Sequence, residues 1–139
     1  MLTSDGCNGI SVAIFTDAPH TGGAERYLNL LARGIERHGF RPLLLTSGSG
    51  RLDRLRGEMR RDRFDVFETH LDLAGNPSSA YSTLRLFRDL GPSILHINLP
   101  GPFDATYSLV APLARIAGIK HIVTTEHLPM VPSLSLIHI

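Results

Sequence analysis

Short apolar runs alternate with longer amphipathic stretches along this chain, and the spacing inside each predicts its element. Ser11–Thr16 is short, apolar and rich in β-formers, so it reads as a buried strand that runs into a loop from Asp17 to Gly23. From Ala24 to His38 the apolar positions Ala24, Tyr27, Leu28, Leu31 and Ile35 recur every three or four residues, which predicts a helix with one buried stripe. Gly39 stands where a left-handed C-cap is expected. A second strand, Pro42–Thr46, is followed by a Ser/Gly turn and a helix from Arg51 to Arg63 whose apolar positions are few: Leu52, Leu55 and Met59. Phe64–Thr69 alternates like a strand with one polar face, which suits a place near a sheet edge. After a Gly75-Asn76-Pro77 break, Ser78–Leu90 reads as a helix closed by Gly91-Pro92, and Ser93–Asn98 as the fourth strand. A helix from Phe103 to Ala117 contains Pro112, which is expected to kink or break it, and Gly118 caps its end. Lys120–Glu126 is the fifth strand, and Pro129 and Pro132 bracket an irregular segment.

Strand–helix–strand alternation predicts an α/β fold, a doubly wound parallel Rossmann-like sheet with strand order 3-2-1-4-5. At 139 residues the chain holds one such domain, assigned to residues 10–128, with 129–139 as an irregular tail. With 42% hydrophobic residues it has the material for a core. Fourteen Lys and Arg against 13 Asp and Glu leave a net charge of +1, so no global field points to nucleic acid. One cysteine, Cys7, excludes an internal disulfide and fits a reducing, cytoplasmic setting. Met1–Gly9 shows no secretory signal, and no apolar run approaches the ~18 residues of a membrane span.

In open α/β sheets ligands bind beyond the carboxyl ends of the strands, where strand order reverses, here between the first and fourth. Gly22 and Gly23 open the first helix at that point. Either they let a phosphate or diphosphate approach free backbone N–H groups at the positive end of the helix, or they only form a tight turn. The G-x-G-x-x-G spacing of a dehydrogenase and the Lys of a Walker A loop are both absent. Glu25, in the first helical turn, either stabilises the helix dipole or accepts a hydroxyl of a sugar or polyol. His96 and Asn98 share a face of the fourth strand; Asn98 lies nearer the crevice, and His96 reads as a core or inter-element histidine ahead of a catalytic one. Glu126 and His127 emerge at the ligand end of the fifth strand. His127 either closes the strand or handles a proton or hydroxyl near neutral pH, with Glu126 placed to fix its tautomer. Seven histidines without helical i, i+4 pairing suggest no metal site. Six arginines between Arg51 and Arg63, interrupted by Asp53, Glu58 and Asp62, read as a solvated helix with internal ion pairs. The alternative is weak attraction to an anionic lipid or a phosphorylated acceptor, which would bring the chain to the inner face of a membrane.

Together the apolar first strand, Gly22-Gly23-Ala24-Glu25, Asn29-Leu30-Leu31-Ala32-Arg33-Gly34 before His38-Gly39, Ile94-Leu95-His96-Ile97-Asn98 and Val123-Thr124-Thr125-Glu126-His127 resemble the N-terminal lobe of retaining, GT-B fold glycosyltransferases of family 4. The resemblance covers residues 10–128. It implies a transferase of two Rossmann-like lobes, the first receiving a hydroxyl acceptor and the second binding a nucleotide-diphosphate sugar, which is a substrate and not a cofactor. Carried over by position, Gly22 and Gly23 would approach the donor diphosphate and His127 the transferred sugar, with Glu25 and Asn98 as further contacts and no metal required. The C-terminal lobe is missing from these residues, so the resemblance implies an inactive fragment, and Ser133–Ile139 resembles translated adapter sequence more than a natural strand. Without the resemblance, five βα units also suit a stand-alone flavodoxin-like module that binds a phosphorylated ligand or a protein without turnover.

Overall fold

The structure is a computed structural model that describes residues 9–16, 23–47, 52–69, 77–99 and 105–126, with the backbone alone described at 23–25, 105–108 and 126. Strands β1 (Ser11–Thr16), β2 (Arg41–Ser47), β3 (Asp65–Thr69), β4 (Ile94–Leu99) and β5 (His121–Glu126) alternate with helices α1 (Gly23–Arg37), α2 (Asp53–Arg61), α3 (Pro77–Leu90) and α4 (Ala105–Ile116). All four strand pairings are parallel and the order is β3-β2-β1-β4-β5, as the alternation predicts. The strand order reverses at β1 and β4, whose register pairs Thr16 with Asn98.

The period-two pattern of the strands divides the core between two faces. Ala13, Phe15, Leu43, Leu45, Leu95 and Ile97 point to one face and pack with Phe87 of α3 and Val110 and Ala114 of α4. Ile14 and Leu44 point to the other and pack with Leu28 and Ala32 of α1 and Leu55 and Met59 of α2. The sparse helix α2 forms because its apolar positions Leu55 and Met59, and Leu52 at its N-cap, all face inward and are buried. Pro112 lies inside α4 without interrupting it, so the break that proline suggested is not there; the residue is exposed, and only one ladder donor is lost.

Helix ends explain how the chain turns back to each strand. After α1, Phe40 N–H donates to Ile35 O at 3.1 Å and Gly39 N–H to Glu36 O at 3.0 Å, the paired bonds of a Schellman motif. The same pair follows α4, from Ile119 to Ala114 and Gly118 to Arg115. After α3 a single bond runs from Gly91 N–H to Phe87 O, because Pro92 has no N–H for the second.

Candidate functional site

Near the carboxyl ends of the strands, one residue from each forms a row across the sheet on the α1/α2 face. Register places Glu68 beside Thr46, Thr46 beside Thr16, Thr16 beside Asn98 and Asn98 beside Thr125. Every strand therefore ends its hydrophobic run on a hydroxyl, amide or carboxylate at one level. Thr16, Thr46 and Asn98 are buried there, so their polar atoms need partners. At the switch point Asn98 Nδ2 donates to Thr16 Oγ1 at 3.4 Å, joining β4 to β1.

Each end of the row is tied by one longer side chain. At the β3 end the buried guanidinium of Arg56 donates to Thr46 Oγ1 at 3.3 Å and to Ser47 O at 2.7 Å, and pairs with Glu68 at 3.4 Å and with Asp53. At the β5 end His96 Nε2 lies 2.6 Å from Thr125 Oγ1, and the His96 ring packs edge-to-face with Tyr27 of α1, centroids 6.3 Å apart. His96 is thus the buried inter-element histidine that its place inside the strand predicted.

Of the predicted site residues, Asn98 is at the switch point, turned into the sheet's own polar row. Gly23 begins α1, and Glu25 follows in its first turn. Glu126 ends β5 in register with Leu99, one step beyond the Asn98–Thr125 pair. Gly22 and His127 lie outside the described residues. The backbone thus brings Gly23, Asn98 and Glu126 to neighbouring element ends on the carboxyl side of the sheet. Thr16, Thr46, Arg56 and Thr125 had no site role in the sequence reading. Their signal is a polar residue closing each strand at the same register level, visible only once the strands are paired.

The basic run is largely neutralised locally. Arg54 pairs with Glu58 at 3.0 Å, Arg56 with Asp53 and Glu68, and Arg60 with Glu68 at 3.8 Å, which is the ion-paired helix expected from the sequence. A groove of about 380 Å³ is lined by Asn29, Arg33, Glu58, Arg61 and Asp62. It lies by the end of α2, just before β3 enters the sheet, away from the strand ends that form the row, and Asn29, Arg33 and Asp62 bond to one another. Among the described residues no group of three His, Cys, Asp or Glu side chains gathers, and no helix is long and apolar enough to cross a membrane.

Comparison with known proteins places this architecture. The model of the family described as Glycosyltransferase Family 4 matches residues 21–138. Among solved structures the chain is similar to a glycosyltransferase from Rickettsia africae ESF-5, with a TM-score of 0.67 and 18% identity over 94% of this chain and 33% of that one. It is also similar to MurG of Acinetobacter baumannii, with a TM-score of 0.62 and 15% identity over 92% of this chain and 38% of that one. A UDP-N-acetylglucosamine 2-epimerase gives a TM-score of 0.57 at 16% identity, over 93% and 34% of the respective chains. At these identities the likeness is one of fold, and the chain spans about a third of the length of each of these structures. No curated protein matches the sequence significantly.

Proposed function

The chain belongs to glycosyltransferase family 4, and from that membership we propose that it serves as the acceptor-side lobe of a retaining transferase, moving a sugar from a nucleotide-diphosphate donor to a hydroxyl acceptor. The domain is residues 10–128, and a second, donor-binding lobe completes the cleft. On this reading the lobe has no turnover alone. Gly22 and Gly23, at the start of α1, approach the donor diphosphate and stabilise its developing charge as the leaving group departs. His127 contacts the transferred sugar, while Glu25, Asn98 and Glu126 contact substrate hydroxyls. A cytoplasmic setting, with any membrane contact peripheral, suits a chain whose one cysteine needs no oxidising compartment.

The observation that carries the proposal is the match to the family over residues 21–138, which runs from the start of α1 through β4 to the end of β5. The test is the two-lobed enzyme titrated with nucleotide diphosphates and assayed for transfer with and without His127→Ala. Tight diphosphate binding, and a loss of turnover on the order of a hundredfold in the variant, are expected. Absence of any diphosphate binding together with an unchanged rate in the variant would overturn the assignment. Retention is checked separately, by the anomeric configuration of the product.

A further inference from the structure

One level below the polar row, register aligns Val66, Leu44, Ile14, His96 and Val123 across the five strands. Four of these five are aliphatic, and the α1/α2 face is otherwise filled at this depth by Leu28, Leu55 and Met59. An aliphatic residue at position 96 would complete the layer without burying an imidazole, whose polar atoms lose water and regain it only through directed bonds. Packing alone therefore gives no reason for histidine here.

What His96 adds is direction. Its Nε2 and Thr125 Oγ1 are 2.6 Å apart, sharing a proton from the ring or the hydroxyl according to tautomer, and this bond crosses diagonally from the middle of β4 to the end of β5. The ring is also seated edge-on against Tyr27, one turn into α1. Two residues further along the same strand stands Asn98, bonded to Thr16. One buried side chain thus holds the three elements whose ends carry Gly23 and Glu25, Asn98, and Glu126 with His127 after it. Strand β5 needs such a tie, because among the described residues it is an edge strand paired only to β4.

We infer that His96 is a positioning residue for the transfer reaction: through Thr125 and Tyr27 it sets where the end of β5 stands relative to the start of α1. This rests on the family-based reading of His127 and Gly22-Gly23. Misplacing a contacting group by ~1 Å can cost on the order of a hundredfold in rate, so loosening the tie should act on turnover more than on affinity.

The test compares Thr125→Val, Thr125→Ser, His96→Leu and His127→Ala in the two-lobed enzyme. Thr125→Val is isosteric and lacks only the hydroxyl. It should lower kcat roughly tenfold with KM for donor and acceptor within about twofold, and His96→Leu should do the same while melting no lower than wild type. Thr125→Ser should recover most of the loss, and the double variant carrying Thr125→Val and His96→Leu should be no slower than the worse single. In the wild type, NMR should show a slowly exchanging proton linking the His96 ring to Thr125, absent in Thr125→Val. Unchanged kcat in Thr125→Val and His96→Leu, alongside a large loss in His127→Ala, removes the positioning role and leaves the family reading intact. Unchanged kcat in all of them removes both. If His96→Leu fails to fold, the two threonine variants and the NMR signal decide.

Discussion

Arg63 has a φ of 65°, the only positive value at a non-glycine position among the described residues, and it follows α2 where glycines follow the other three helices. Its N–H donates to Arg60 O at 3.0 Å and Phe64 N–H to Met59 O at 3.0 Å, so the Schellman geometry forms without the residue that suits it. A side chain in this region costs roughly 1–2 kcal/mol, and glycine gives back about 0.5–1 through its freer unfolded chain, so Arg63→Gly should stabilise by about 0.5–1 kcal/mol. Gly39 is the converse, with a φ of 83° and nothing within 4 Å of a built Cβ. Gly39→Ala should therefore cost about 0.5–1 kcal/mol, the strain of roughly 1–2 kcal/mol less the unfolded-chain freedom that glycine gives up. Chemical denaturation of both variants checks the pair; equal effects of one sign would contradict the argument. Next to Arg63, Asp62 accepts from Asn29 Nδ2 at 3.0 Å and from Arg33 Nη2 at 2.8 Å. The Asn29 bond first, and then the Arg33 bond, hold its carboxyl below the ordinary value of 3.8. A group with a lowered folded pKa stabilises above its unfolded value and loses that contribution as pH falls through the folded one. Asn29→Ala should thus lose less melting temperature than wild type between neutral pH and pH values below 3.8. An identical pH dependence would show that the bond carries no linkage.

At the scale of elements, α2 shows how a short, arginine-rich segment is recruited. Leu55 and Met59, with Leu52 at its N-cap, settle the buried face, while Arg56, with a side chain only 4% exposed, ties the helix to the ends of β2 and β3. The guanidinium works as a fork here, serving Thr46 and Ser47 from Nη1, Glu68 from Nε and Asp53 from Nη2. Lysine keeps the charge and loses that geometry. Arg56→Lys should therefore destabilise by roughly 1–3 kcal/mol, close to Arg56→Ala, since both leave buried acceptors on β2 unserved. A lysine variant that melts like wild type would reduce Arg56 to a point charge. The existence of α2 was readable in the spacing of Leu52, Leu55 and Met59, and each strand in its own apolar run. The role of Arg56 was not: between Arg51 and Arg63 it looks like one cation among six, and only the approach of β2 and β3 separates it from the exposed Arg54 and Arg60. The row formed by Thr16, Thr46, Asn98 and Thr125 was hidden for a related reason. Threonine is an ordinary strand former, and what makes these a set is register between strands, which no single strand encodes.

Across the whole molecule the two edges of the sheet are finished differently. Strand β3 presents Asp65, paired with Arg41 at 2.7 Å, and Glu68, paired with Arg56 and Arg60. Charges of this kind discourage another chain from adding a strand. Strand β5 presents His121, Val123 and Thr124 to solvent, with Val123 half exposed, and Ile116 at the end of α4 is 62% exposed. An edge whose middle residues, Ile122 to Thr125, carry no charge and are rich in β-formers, with apolar surface beside it, is a template for pairing. Self-association of the 139-residue chain should therefore begin at β5, and a charge there should suppress it without reaching the core. Val123→Lys is the informative change, because position 123 lies in the aliphatic layer yet is exposed, so the ammonium can remain in water. Light scattering over a concentration series should show a higher onset of association for Val123→Lys, and a matching lysine at Tyr81, exposed on α3, should leave the onset where it was. Equal shifts from the two would mean that net charge governs association and not the β5 edge. A fall in the melting temperature of Val123→Lys would mean that the valine is held more firmly in the layer than its exposure implies.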